Sequence, residues 1–134
     1  MKDFRNLQVW EKSHKLTLLI YKTVSLFPSD EKYGLISQIK RASASIPTNI
    51  AEGCGRESDK DFARFLQIAM GSASEVEYLV ILSKDLNYLD TETSNLLIES
   101  TQEIKKMLAS LLKTFFLSPE YFRLISWRFP YPNN

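Results

Sequence analysis

One cysteine, one histidine, four glycines and five prolines among 134 residues exclude several kinds of protein at once. A single cysteine cannot close an internal disulfide, so the small disulfide-stapled folds drop out and the cytoplasm is the default compartment. A lone histidine has no partners at metal-ligand spacing, and no metal or other cofactor is expected. No serine or cysteine nucleophile comes with a recognisable base, and the glutamates are too ordinary on helices to read as a catalytic pair. The chain therefore reads as a non-enzyme. No apolar run approaches the roughly 20 residues that cross a bilayer, and Met1-Lys2-Asp3 does not begin a signal peptide, so no membrane partner is expected. Glycine is scarce and two of the prolines fall in the last five residues, which leaves little material for turns. A few long elements are favoured over many short strands.

What is present is helix, four times over. The first apolar-periodic segment spans about residues 4–27 and stops at Pro28. Ser29 then offers an N-cap, with Asp30 and Glu31 suited to the positive end of the next helix, about 31–52. Gly53 is placed to cap that helix in a left-handed conformation, and Gly53-Cys54-Gly55-Arg56 reads as the loop. Ser58 with Asp61 resembles a capping box and opens a third helix, about 59–86. Asp90 or Thr91 caps the fourth, about 91–117. Phe62, Leu66, Ala69, Ala73, Val76 and Val80 step 4-3-4-3-4, as do Leu97, Thr101, Ile104, Leu108, Leu111 and Phe115. Such spacing suits helices packed at shallow angles. Short connections then predict an all-α, antiparallel up-down-up-down four-helix bundle over residues 1–117, followed by a C-terminal tail, 118–134.

Pro47 breaks the local rules, because Ile36, Ile39, Ser43, Ile46 and Ile50 keep one helical phase across it. A mid-helix proline loses one backbone hydrogen bond and clashes with the carbonyl four residues back, at roughly 3 kcal/mol. Either tertiary packing compensates, or the helix bends there. Gly71 costs the third helix about 1 kcal/mol against alanine. With Ala69, Ser72, Ala73 and Ser74 it forms a small-residue patch where another helix can come close.

Two helices carry more apolar surface than one seam uses. Leu7, Trp10, His14, Tyr21 and Val24 share one line of the first helix, while Val9, Leu16, Ile20 and Phe27 share another about 120° away. The third adds Phe65, Ile68, Leu79, Leu82 and Leu86 beside its main stripe. A broad core face is the plain explanation; a protomer interface formed by Val9, Leu16, Ile20, Phe27, Phe65 and Leu79 is the sharper one. The tail holds Tyr121, Phe122, Trp127, Phe129 and Tyr131, five of sixteen aromatic residues in its last sixteen positions. It either docks on its own bundle or lies across a neighbouring protomer. Because short loops should leave a bundle's own grooves filled, the arm on a neighbour is the expectation, and it adds Tyr121, Phe122, Trp127 and Phe129 to the interface.

Leu7-Gln8-Val9-Trp10-Glu11-Lys12, Tyr33-Gly34-Leu35 with Gln38-Ile39-Lys40-Arg41-Ala42, and the Ser45–Gly53 run fit one pattern. Phe65-Leu66-Gln67-Ile68-Ala69 followed by Gly71-Ser72 and Glu75 fits it too. Over about residues 4–116 the chain closely resembles the 23S rRNA intervening-sequence proteins. That resemblance implies a four-helix bundle, often a ring-shaped pentamer, encoded within bacterial rRNA genes or elsewhere in the genome. A related group, accessory proteins of diversity-generating retroelements, is pentameric, binds nucleic acid and partners a reverse transcriptase. Those relatives are strongly basic, whereas this chain carries a net charge of +1. Its halves differ, with nine basic against five acidic residues over 1–56 and eight against eleven over 57–134.

Arg5, Lys12, Lys15 and Lys22 fall within about a 100° sector of the first helix. This is a solvated face on the plain reading. On the functional reading it is a phosphate-contacting stripe for RNA or DNA, joined by Lys40, Arg56 or Arg64. His14 reads as a satisfied, partly buried imidazole, and Cys54 as an accessible but unreactive loop thiol. Arg41, Ser45, Thr48 and Glu52 line one side of the second helix, so Arg41 is expected to pair with Glu75, or failing that Glu52. The reading is a homo-oligomeric scaffold or nucleic-acid accessory protein; the alternative is an interaction module whose partner is another protein.

Overall fold

A computed structural model describes residues 2–115. Its helices are α1 (Gln8–Val24), α2 (Leu35–Cys54), α3 (Asp59–Asp85) and α4 (Thr91–Phe115). Each packs against two others round one core, α1 and α3 both lying between α2 and α4. This is the antiparallel four-helix bundle expected from the periodicity. The tail, with Tyr121, Phe122, Trp127 and Phe129, lies outside the described residues.

Two caps are where the sequence puts them. Ser58 Oγ accepts from the Asp61 N–H at 3.1 Å, and Asp90 Oδ1 accepts from the Thr93 N–H at 2.6 Å. At the other end of α3, Asn87 takes the left-handed conformation (φ 65°). The Tyr88 and Asn87 N–H groups then close on the Ser83 and Lys84 carbonyls, each at 2.9 Å, which satisfies groups the helix end would leave open.

Three boundaries differ from expectation. The first helix is interrupted: Phe4–Asn6 is a separate 3-10 turn, Leu7 is extended (φ −88°, ψ 124°), and α1 begins only at Gln8. The second does not start at Ser29, which opens another 3-10 turn; the Glu31 side chain accepts from the Leu35 N–H at 3.3 Å where α2 begins. Gly53 does not cap α2 in a left-handed conformation. The helix continues through it to Cys54, and no described glycine has positive φ. The glycine is there for proximity instead: a Cβ on Gly53 would lie 2.8 Å from Phe62 Cδ2 and 2.9 Å from Phe65 Cβ.

Pro47 is buried within an unbroken α2. It has no N–H to offer the Ser43 carbonyl four residues back. The Thr17 hydroxyl of α1 supplies the missing donor, at 2.9 Å from Ser43 O, while also lying 3.0 Å from Ser13 O in its own helix. Tertiary packing is thus the compensation. At the small-residue patch, Ala69 and Ala73 are buried and Ser72 Oγ hydrogen-bonds Ser45 Oγ of α2 at 2.8 Å. Gly71 takes no part, as a Cβ there would meet nothing within 4 Å.

The second apolar line of α1 proves to be the inward one. Val9, Leu16, Ile20 and Phe27 all lie in the bundle's own core, as does Leu79 of α3, so they are not free to meet another protomer. His14 and Tyr21 stand on the outside. Phe65 is buried too, under two arginines. Among the described residues, exposed large apolar side chains are spread over several elements, Leu18, Tyr21, Leu26, Tyr33 and Leu96 among them, but four of them, Ile68, Tyr78, Ile81 and Leu86, belong to α3 and its C-terminal end, with Tyr78 60 % exposed. By length and composition α3 would suffice to cross a membrane, but 44 % of its most apolar window is packed inside the bundle.

Candidate functional site

The end of the bundle where α2 turns into α3 gathers cations onto aromatic rings. Gly53 lets α2 meet α3 tightly, and this sets Phe62 and Phe65 directly beside the turn. Arg56, just past α2, places its guanidinium 4.8 Å from the centre of the Phe65 ring; Arg64, on α3, lies 5.3 Å from the same ring. Both arginines are exposed, and neither makes an ion pair among the described residues. Beside them, Lys2 Nζ sits 4.6 Å from the Phe62 ring and 4.7 Å from that of Phe115, which meet edge to face. The Lys2 N–H donates to the Cys54 carbonyl at 3.3 Å, pinning the N-terminal strand of residues to the end of α2. Sequence reasoning missed Lys2, because its ring partners come from α3 and the far end of α4. Lys2 also pairs with Asp59 at 3.7 Å, which leaves Arg56 and Arg64 as the cations at this end that a ring face orients without neutralising.

The basic sector read from α1 does not survive as one stripe. Arg5 precedes the extended residue Leu7, so helical-wheel arithmetic does not reach it; it pairs with Asp3 at 3.1 Å. That arginine also helps hold the Asp3 carboxyl below its usual range, the N–H of Arg5 being the first cause. Lys12 is bound to Glu103 of α4, and Lys15 to Glu11 at 3.1 Å, leaving Lys22 unpaired among the described residues. Lys40 lies 4.9 Å from the centre of the Tyr21 ring. Arg56 lies sixteen positions further along α2 and its turn, about 24 Å of helix. Of the seven cations, then, only Arg56 and Arg64 share a place.

Arg41 and Glu75 do line one cleft between α2 and α3, of about 470 Å³, together with Gln38, Ala42, Ser45 and Ser72. They make no ion pair. Glu75 accepts from Gln38 Nε2 at 3.3 Å, while Arg41 and Glu52 point into water, where a charge needs no partner. The interhelical ion pair at reduced exposure is a different one, Lys105–Glu77 at 3.2 Å between α4 and α3.

Cys54 is buried, 2 % exposed, and not an accessible loop residue; burial pushes its thiol pKa up, away from reactivity. His14 is exposed rather than half-buried, stacked on Trp10 with ring centres 5.1 Å apart. Among the described residues no group of three or more His, Cys, Asp and Glu side chains is placed to hold a metal ion.

Fold and site together define a class: a small antiparallel helical bundle that holds two exposed arginines over a buried phenylalanine ring at one end. The sequence profile of the 23S rRNA-intervening sequence protein family matches residues 5–110, and the chain belongs to that family. Among solved structures it is similar to a protein of unknown function from the S23 ribosomal protein family of Bacteroides thetaiotaomicron. The two are 30 % identical, with a TM-score of 0.71 over 78 % of this chain and 98 % of the other. No curated protein sequence matches the chain.

Proposed function

We propose that the protein is a non-enzymatic, self-associating scaffold that works in the cytoplasm, in rings of the five copies that family resemblance implies. The outer face of α3 carries this reading. Its inner face is already saturated by α2 and α4, yet Ile68, Tyr78, Ile81 and Leu86 remain in water, and such a face stays apolar to be covered. Light scattering on the purified chain tests it: an assembly is expected at micromolar concentration, and Tyr78→Glu should shift it toward monomer. A 15.5 kDa monomer as the only species would end the proposal.

A nucleic-acid role is favoured by one further observation, the unpaired Arg56 and Arg64 over Phe65. Contacts of this kind read phosphate and not sequence, so binding should be weak, sequence-tolerant and steeply salt-dependent. Replacing both arginines with glutamine should lower RNA affinity and flatten the salt slope by about two contacts' worth, at roughly 0.7 in log–log slope each for single strands. If the double variant binds like the parent, this end is not the contact. If the parent binds no RNA even at low salt, the partner is a protein.

A further inference from the structure

Between α1 and α4 the bundle leaves a groove that its own side chains do not fill. It holds about 280 Å³ and is walled by Leu7, Val9, Met107 and Leu111, with Ser110 and Thr114 along its rim. One turn of α4 beyond Met107, the Lys12–Glu103 ion pair joins the two helices and closes that end. The other end opens at Thr114, beside the last described residue, Phe115. Room for side chains is present there, but not for a helix about 10 Å across.

Nineteen residues of sequence, 116–134, continue from that mouth. Fully extended they reach about 60 Å, whereas the groove from Thr114 back to Met107 is only about 10 Å long. Pro119 stops a smooth continuation of α4, and an aromatic pair, Tyr121-Phe122, follows at once. The segment also lies beyond what the relatives share: the family profile ends at residue 110, and the similar S23-family structure is nearly used up by 78 % of this chain. The case for an arm on a neighbour rested on the bundle's own grooves being full, and this one is open. We propose that the C-terminal segment folds back on its own chain and seats aromatic side chains in the α1–α4 groove. An aromatic side chain buries about 150–250 Å², so one or two rings suffice to anchor the segment against its ordering entropy.

The full chain tests this directly, because it has two tryptophans, Trp10 and Trp127. In a Trp10→Phe background, Trp127 emission should be blue-shifted from that of free tryptophan and protected from acrylamide, equally at every protein concentration. Ser110→Lys with Thr114→Lys alters only exposed rim positions, and cations suit the C-terminal end of α4, so the bundle should keep its helicity. Those two substitutions should raise quenching of Trp127 to the free-tryptophan level; Tyr78→Lys, on α3, should not. Water-exposed Trp127 in the background chain, or no response to the rim substitutions with helicity intact, overturns the proposal. Protection that is lost on dilution also overturns it, and places the segment on a second copy. Light scattering is read separately, so a monomer with protected Trp127 keeps this inference while ending the scaffold reading.

Discussion

The α2–α3 seam and the α1–α4 seam belong to the same bundle and are built in opposite ways. Along α2–α3, small residues bring the helices into close contact: Gly53 lies against Phe62 and Phe65, and Ser45 meets Ser72. Along α1–α4, an apolar groove stays open between Leu7, Val9, Met107 and Leu111, and a surface ion pair, Lys12–Glu103, ties the helices together. The first seam joins helices separated by a four-residue turn; the second joins the first and last helices of the bundle, which no connection holds in register. Close packing fixes one geometry because each atom is felt. Both seams leave a cleft, but the one along α2–α3 is lined by Gln38, Arg41 and Glu75 and suits water, whereas the one along α1–α4 is walled by Leu7, Val9, Met107 and Leu111 and suits an apolar occupant.

Substitutions can break that contrast or sharpen it. The largest effect is expected at Gly53→Ala: although alanine is the better helix former, its Cβ collides with Phe65 Cβ, which cannot swing away. A loss of about 1–3 kcal/mol should appear as a lower urea midpoint. Next comes Thr17→Val, which keeps the shape of the side chain but strips Ser43 O of its donor. It should cost about 1–2 kcal/mol by the same assay, and a neutral result would mean that water replaces the hydroxyl. Gly71→Ala should have the opposite sign. With nothing within 4 Å and helical backbone on both sides, it should stabilise by about 0.5–1 kcal/mol, and a destabilised variant would disprove the open space. Lys12→Gln, at the α1–α4 seam, should change stability by less than about 1 kcal/mol, with an effect that vanishes as salt is raised.

The order of these effects also marks how far the sequence could be read. Ser58 and Asp90 were legible as caps because a cap is a local event, made within three residues. Gly53 was legible as special but not for its reason: the ring that needs the space comes from another helix, and a left-handed φ and a close approach leave the same letter. The wheel of α1 separates two apolar lines only in part, since Val24 of the first line joins Val9, Leu16, Ile20 and Phe27 in the core, and relative angle does not tell which line faces inward, so these residues fill the core and not an interface. The Arg41–Glu75 pairing follows from a polar stripe at the edge of the core seam, but Arg41 is exposed, and water answers its charge. Lys12 could not be paired with Glu103 in advance, since 91 residues separate them.

Pro47 carries one more implication. A helix whose middle carbonyl is answered from another helix cannot hold its midpoint alone, so the continuity of α2 is conditional on the presence of α1. The two should therefore open and close as one cooperative unit, with the amides around Ser43 and Thr17 exchanging their hydrogens at a common rate. A peptide of α2 by itself would fray on either side of the proline. What the residue removes from local order it returns as an address: of all the ways α1 could slide along α2, the one that sets Thr17 against Ser43 leaves no carbonyl there unanswered.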